Sequence, residues 1–237
     1  MTRGERNVVV NVKPHALFPG IYWITVDKGS RKLGTKNLSA GHSVYGERLI
    51  KFNGEEYRLW DPYRSKFAAS ILNGLDNVPI LPKDKVLYLG AASGTTASHV
   101  SDIVGEDGQV YCIEFASRSL RDLVNNVCVY RYNMSPILAD ARIPETYSRM
   151  VNHVDSIYFD VAQPEQARVL ADNSDIYLDK GGGIMLAIKS QSIDVTMEPA
   201  AVFKNEISIL EARGFRISNV IGLEPFDKAH VMVVAHK

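Results

Sequence analysis

From Asp61 onward, short apolar runs of strand length alternate with segments of helical periodicity, and this alternation limits the possible folds sharply. Residues 85–90, 109–114, 135–140, 156–160 and 183–189 read as strands. Residues 96–104, 117–127, 164–170 and 199–213 read as the helices between and after them. An earlier helix opens at Ser65, a side chain suited to capping, with Ala68, Ile71, Leu72 and Leu75 at i, i+3, i+4 and i+7. Leu120, Val124 and Val127 share one helical face, and Phe203, Ile207 and Leu210 share another, in a helix that stops at Gly214. Strands 217–221 and 230–236 close the chain. The pattern predicts an α/β fold: a Rossmann-like parallel sheet with helices on both faces.

The first sixty residues have a different texture. Val8–Val12, Ile21–Val26 and Arg48–Phe52 are short and rich in β-branched and aromatic residues, broken by Pro14, Pro19-Gly20 and Gly41. Asn53-Gly54, between Ile50-Lys51-Phe52 and Tyr57-Arg58-Leu59-Trp60, is a strong hairpin signal. We expect a small antiparallel β domain over residues 1–60 and the larger domain over 61–237. Between the early strands, residues 27–36 carry Lys28, Arg31, Lys32 and Lys36 against one acid. That cluster reads as a solvated loop, with RNA contact as the alternative.

Composition narrows the function classes. The 237 residues are 46% hydrophobic and 23% charged, as in ordinary globular proteins. Cys112 and Cys128 are too few for a disulfide framework or a four-cysteine zinc site, and read as buried free thiols. No apolar run approaches the roughly 18 residues of a membrane helix, and no signal peptide is visible, so a cytoplasmic protein without a membrane partner is expected. Basic and acidic residues balance at 27 each, so any grip on a polyanion must be local or shared with a partner.

Sheets of this kind bind ligands at the carboxyl ends of their strands, so each strand is informative at its last residues. The first ends in Leu89-Gly90-Ala91-Ala92-Ser93-Gly94-Thr95-Thr96, small residues that let backbone approach a ligand at a helix start. Ala92 and Thr95 depart from the G-x-G-x-x-G that a dinucleotide pyrophosphate prefers. The second ends in Glu114, 24 residues past Gly90, where a carboxylate can grip a ribose diol. The third ends in Asp140-Ala141, the fourth in Asp160-Val161-Ala162-Gln163, and the fifth in Lys189. Any one of these charges could merely terminate a strand at the surface. Together with the glycine loop they indicate an adenosine-containing ligand, either NAD or S-adenosylmethionine.

The motifs Leu89–Thr96, Ile113-Glu114-Phe115-Ala116, Tyr158–Pro164 and Arg64-Ser65-Lys66 resemble fibrillarin, the family of ribose 2′-O-methyltransferases of box C/D ribonucleoproteins. The resemblance runs along essentially the whole chain. The Gly/Arg-rich N-terminal extension of eukaryotic members is absent, so the archaeal form is implied. It implies an S-adenosylmethionine-dependent methyltransferase sheet, S-adenosyl-L-methionine as methyl donor, and no metal. Gly90, Ala91, Thr95 and Thr96 would hold the donor, with Glu114 on its ribose. Phe115 would lie against the adenine, Asp140 and Ala141 would recognise it, and Asp160, Val161, Ala162 and Gln163 would line the methionine side. Lys66, Asp160, Lys189 and His230 would correspond to a Lys-Asp-Lys-Glu tetrad, with histidine in the last place. The family's Asp-His wording is Asp227-Lys228-Ala229-His230 here, so His230 also reads as an ordinary strand-end histidine.

The 2′-hydroxyl must lose a proton as its oxygen takes the methyl, and a lysine can accept one only where a second cation or burial disfavours its ammonium. Lys189 is therefore assigned as the base, Lys66 as its electrostatic partner, and Asp160 and His230 as orienting groups. Implied partners are a Nop-family scaffold protein, a kink-turn-binding ribosomal-type protein, a box C/D guide RNA and the rRNA or tRNA substrate. Competing readings are an NAD-dependent oxidoreductase, a non-catalytic RNA-binding subunit and a protein glutamine methyltransferase.

Overall fold

The computed structural model describes residues 10–27 and 29–237, with its strands divided between two sheets. The first contains β1 (Val10–Pro14), β2 (Ile21–Val26), β3 (Lys32–Lys36), β4 (Leu49–Phe52) and β5 (Glu55–Leu59), in the order β1-β2-β3-β5-β4. All its pairings are antiparallel. Asn53 and Gly54 both take positive φ, 50° and 82°, and close the β4–β5 hairpin as their sequence predicts. Val8 and Val9 lie outside the described residues, and the first strand runs on to Pro14.

The solvated loop expected over 27–36 is corrected. Lys32–Lys36 is a strand inside the sheet, between β2 and β5, and Leu33, Gly34 and Thr35 are buried. Gly34 is needed there, because a Cβ would sit 2.3 Å from Ile24 Cδ1 and 2.6 Å from the Arg58 carbonyl oxygen. Lys36 pairs with Glu55 at 2.8 Å, and Lys28 lies outside the described residues.

The second sheet contains β6 (Lys85–Leu89), β7 (Gln109–Glu114), β8 (Met134–Leu138), β9 (Val154–Phe159), β10 (Leu178–Lys189), β11 (Arg216–Gly222) and β12 (His230–His236). Its order is β11-β12-β10-β9-β6-β7-β8. Strands β10, β9, β6, β7 and β8 are mutually parallel. The all-parallel expectation is corrected at the other edge, where β12 runs antiparallel between β10 and β11. The link from β11 to β12 is too short for a crossover, so the two strands must form an antiparallel pair. This reversal brings the first residue of β12, His230, opposite the last of β10, Lys189.

Helices α1 (Lys66–Leu72), α2 (Thr95–Val104), α3 (Ser117–Asn126), α4 (Gln166–Tyr177), α5 (Ser190–Ile193) and α6 (Pro199–Ala212) complete the α/β unit. The Ser65 side chain caps α1 by accepting from the Ala68 N–H, as expected. That helix stops at Leu72, so Leu75 is buried from the segment beyond it. The helix expected over 164–170 instead runs to Tyr177. Its second half buries Asn173 and Ser174, whose side chains bond back to the Val169 and Leu170 carbonyls and so interrupt the apolar period. One core cluster, including Phe67, Val100, Leu123 and Met185, lies on one face of the sheet. A second, including Ile157, Leu170, Leu186 and Leu210, lies on the other. Cys112 is buried as expected, whereas Cys128 is only partly so; both are free thiols. Among the described residues no helix is long and apolar enough to cross a membrane.

A buried polar network fastens the first sheet to α2. Asp102 accepts from Arg58 Nη1 (2.9 Å), Arg131 Nη1, Thr35 Oγ1 (2.7 Å) and the Leu38 N–H (3.1 Å). Because the Thr35 hydroxyl is spent on Asp102, His99 Nδ1–H donates to Thr35 Oγ1 at 2.8 Å, and Nε2 accepts from the Tyr45 hydroxyl at 2.8 Å. The ring is stacked on Trp60, with centroids 4.7 Å apart. Burial first, then the Arg58 and Arg131 cations, holds His99 well below the usual imidazole range.

Candidate active site at the carboxyl edge of the sheet

The loop after β6 is shaped by two glycines with different reasons. Gly90 has φ +86°, and a Cβ there would lie 2.4 Å from the Asp160 carbonyl oxygen, so the ends of β6 and β9 can meet only with glycine. Gly94, at the N-cap of α2, has φ +95°, and its Cβ would lie 2.6 Å from Leu123 Cδ1. Among the described residues no side chain caps α2, so its first N–H groups stay open at the loop. The N–H groups of Gly90 and Ala91 both reach the Ile113 carbonyl, at 2.9 and 3.1 Å. Thr95 opens α2, half-buried. Thr96 is buried, and its hydroxyl turns to Ser65 Oγ at 3.0 Å, which leaves its backbone as the part at the helix start.

Glu114 ends β7 with its carboxylate fixed by two backbone donors, Ala92 N–H and Ala116 N–H, each at 2.8 Å. Phe115 beside it is 70% exposed, an aromatic face with little of its own protein to cover it. Asp140 lies two residues beyond β8, where a strand-end carboxylate was expected. Arg142 chelates it, with Nη2–Oδ2 at 2.6 Å, and this bond holds the Asp140 carboxyl below its usual range. Ala141 is buried and gives its carbonyl to Asn173 Nδ2 at 2.8 Å. Val161 and Gln163 are half-buried after β9, Ala162 is exposed, and the Gln163 N–H returns to the Val161 carbonyl at 3.1 Å.

Lys66, Asp160 and His230 are linked through their side chains by way of Asp227, and Lys189 stands opposite His230 on the backbone. Lys66, the first residue of α1, places Nζ 2.8 and 3.0 Å from the two oxygens of Asp160. Asp227 Oδ2 is 3.9 Å from the same ammonium, and Asp227 Oδ1 is 3.0 Å from His230 Nδ1. The two residues that separate Asp227 from His230 in this sequence are absorbed by Ala229, whose φ of 56° turns the chain back. His230 Nδ1 also faces the Lys228 carbonyl at 2.7 Å. Two acceptors on one ring nitrogen mean that Nδ1 carries a proton, which fixes the orientation of the ring. Lys189 stands across the β10–β12 ladder from His230, and among the described residues its ammonium makes no ion pair. Below Asp160, Tyr88 and Tyr158 stack at 4.7 Å, and burial pushes both phenols well above their usual range.

Three members of this region escape sequence reasoning. Gln166 is fully buried, and its Oε1 accepts the Lys189 N–H at 3.1 Å. Asp227 bridges Lys66 and His230, and Arg142 covers Asp140. Only Asp227 left a signal, in the altered Asp-His wording.

The fibrillarin family model matches residues 12–237. A relative from Methanopyrus kandleri, a fibrillarin-like rRNA/tRNA 2'-O-methyltransferase, is 52% identical over 228 residues, 96% of this chain and 98% of its own. The crystal structure of Aeropyrum pernix fibrillarin with natively bound S-adenosyl-L-methionine is 50% identical, covers 97% of this chain and 99% of its own, and superposes with a TM-score of 0.90. A fibrillarin/Nop5p complex contains a chain 40% identical to this one, covering 87% of it and 94% of its own length, with a TM-score of 0.77. Similarity of this extent, over nearly the full length of both sequences, means that the chain belongs to the fibrillarin family.

Proposed function

We propose that this chain transfers methyl groups from S-adenosylmethionine to ribose 2′-oxygens of rRNA and tRNA, as the catalytic subunit of a guide-RNA-directed box C/D ribonucleoprotein. The observation that carries this reading is the connected Lys66–Asp160 and Asp227–His230 cluster, with Lys189 opposite His230, beside a glycine loop that leads into an uncapped helix. Half-identity to a named rRNA/tRNA 2'-O-methyltransferase supports it. The dinucleotide, non-catalytic and protein-acceptor readings have no comparable observation behind them.

The residues present fit the donor. A cradle that a Cβ at Gly90 would fill, free N–H groups at Thr95 and Thr96, a fixed carboxylate at Glu114 and an exposed ring at Phe115 match its polar, diol and aromatic parts. Asp140 and Ala141 would frame the adenine, and Asp160, Val161, Ala162 and Gln163 the methionine end. When bound, S-adenosylmethionine supplies a methyl on a sulfonium, open to in-line displacement. Lys66, committed to both oxygens of Asp160, is a fixed donor at Nζ. Lys189, without a carboxylate partner among the described residues, is the group we assign to take the 2′-hydroxyl proton at Nζ. His230 orients that hydroxyl, and Asp227 holds the ring through Nδ1. Alignment of the acceptor oxygen supplies much of the rate, about 7–11 kcal/mol in well-oriented systems.

Partners follow the same reasoning. A relative is crystallised with Nop5p, which supports a Nop-family scaffold protein. With 27 basic and 27 acidic residues, selection of one ribose is delegated to a guide RNA and a kink-turn-binding ribosomal-type protein, in an archaeal cytoplasm. We place the division between the β unit and the methyltransferase unit near residue 60, where β5 has ended. Calorimetric titration with S-adenosylmethionine tests the donor site. Wild type binds without RNA, and Glu114→Ala loses about 1.5–3 kcal/mol per lost charge-assisted hydrogen bond. Equal affinities would refute the ribose assignment.

A further inference from the structure

The donor loop and the helix that carries Lys66 are joined by two hydroxyls that the chemistry itself does not use. Thr96, the second residue of α2, donates from Oγ1 to Ser65 Oγ at 3.0 Å, and Ser65 is the N-cap of α1. Ser65 Oγ also accepts the Ala68 N–H at 3.4 Å, so one oxygen ties the first turn of α1 to the first turn of α2. Both residues are buried, Thr96 at 7% and Ser65 at 3% exposure, so bulk water does not compete for the bond. The Thr96 hydroxyl is thus committed to α1, while its backbone N–H stays in the first turn of α2 beside the glycine loop.

That bond closes a circuit through the catalytic cluster. Lys66 follows Ser65 directly, and its Nζ reaches both oxygens of Asp160 at 2.8 and 3.0 Å. The Asp160 N–H bonds the Leu89 carbonyl at 3.0 Å, and Leu89 leads through the glycine loop back to Thr96. The body of α1 is held by other means. Phe67, Ala68, Ala69, Ser70 and Ile71 are buried, and the Phe67 ring meets Trp60 edge-on at 5.1 Å. Apolar packing of this kind is non-directional, so it resists a small slide of the helix along its own axis only weakly. A directional bond at the N-cap sets the place of the first turn, where Lys66 begins. Misplacing a reacting group by about 1 Å can cost about 100-fold in rate.

We propose that Thr96 and Ser65 are positioning residues, whose hydroxyl pair registers Lys66 and Asp160 against the bound donor. Two tasks are then divided within Thr96: its backbone N–H belongs to the donor site, and its hydroxyl to the placement of Lys66. Capping alone does not call for Thr96, because Ser65 Oγ reaches the Ala68 N–H by itself. A side-chain donor ligand would keep its hydroxyl for the loop, whereas that of Thr96 is spent on α1. This inference rests on the ribose-methylation reading, and adds to it the means by which the donor half and the Lys66 half of the site keep one geometry.

The test uses the full chain, alone and in the reconstituted guided particle. Thr96→Val keeps shape and backbone and removes the hydroxyl; Thr96→Ser keeps the hydroxyl. Single-turnover methyl transfer by Thr96→Val should be slowed about fivefold, the worth of one neutral hydrogen bond, with donor Kd and KM for RNA within about twofold of wild type. Thr96→Ser should transfer at close to the wild-type rate. In a Lys66→Ala background Thr96→Val should add nothing, because the group it positions is gone. Ser65→Ala removes the same bond from the other side and should show the same dependence on Lys66, which keeps the test decisive if Thr96→Val does not fold. A second readout needs no methyl transfer. With lysines labelled with carbon-13 at Cε, and the Lys66 NMR signal assigned by Lys66→Arg, that signal should move in Thr96→Val in the direction it moves in Asp160→Asn. It should stay in place in Thr96→Ser. A wild-type rate or an unmoved Lys66 signal in Thr96→Val would overturn the proposal. So would a slowing that persists in full without Lys66, which would make the bond a structural fastening, or a loss confined to donor affinity, which would make the hydroxyl a donor ligand. A wild type whose Lys66 signal follows Thr96 but which transfers no methyl would count against the methylation reading and leave the positioning role standing.

Discussion

Strand β10 outlasts its neighbour. Its parallel pairing with β9 ends at Leu186 opposite Phe159, and three residues further on the Lys189 N–H meets the side chain of Gln166 in place of a strand. The segment from Asp160 has by then left the sheet to form the ligand edge. Gln166 thus sets where the backbone of Lys189 lies, and through it the ammonium. Gln166→Met keeps length and burial but removes the acceptor, a loss worth about 1 kcal/mol. The expected result is kcat down about fivefold, with KM for RNA and donor affinity within twofold; an unchanged kcat would remove Gln166 from the site. Asp160 and Lys189 are legible in the sequence as charges at strand ends, whereas Lys66, at a helix start, and His230, at a strand start, enter only through the resemblance to the family's tetrad. Gln166 is not legible at all, since its task exists only where one strand stops short of another. Asp140 was legible as a carboxylate, but its chelation by Arg142 depends on side-chain geometry that spacing alone does not give.

At the level of elements, periodicity carried most of the α/β unit and failed where polar or charged residues are folded inward. Strand β3 looked like a loop because Lys32 and Lys36 frame only three buried positions, one of them the side-chain-free Gly34. Helix α4 looked short because Asn173 and Ser174 enter the core on hydrogen bonds. The direction of β12 was invisible, since an apolar run has no polarity; yet that direction delivers His230 to the site. The β6–β9 contact makes a sharper prediction. Gly90→Ala meets both a positive φ and a backbone oxygen at 2.4 Å, whereas Gly54→Ala meets a positive φ in open space. Gly54→Ala should cost about 1 kcal/mol in denaturant unfolding, and Gly90→Ala about 2–3 kcal/mol with donor binding lost as well. Equal costs would mean that the two strand ends do not abut.

For the whole molecule, the network around Asp102 and His99 joins the N-terminal sheet to the helix that starts at the donor loop. His99 is held below its unfolded value of 6.5, so at pH below about 6.5 the unfolded chain binds the proton that the folded chain refuses. Its contribution is complete above about pH 6.5 and is lost as pH falls, at up to about 1.4 kcal/mol per unit. Glu206 is shifted the opposite way for a carboxylate, raised by burial, and gains stability as pH falls, so the histidine term must be isolated by mutation. Urea unfolding of His99→Gln should show lower stability at pH 7 but a flatter fall from pH 6.5 to 5; parallel curves would contradict a neutral buried ring. The charge balance of 27 against 27 has a further consequence: the isolated chain should methylate unguided RNA barely above background at physiological salt. The catalytic assignment is tested most directly by single-turnover methyl transfer from labelled S-adenosylmethionine in the reconstituted particle, with the product ribose mapped by mass spectrometry. Wild type should place one 2′-O-methyl at the guide-matched nucleotide, and Lys189→Ala should be slowed at least about 100-fold with donor affinity intact. A Lys189→Ala rate within threefold of wild type, or a methyl found anywhere but on a ribose oxygen, would contradict it.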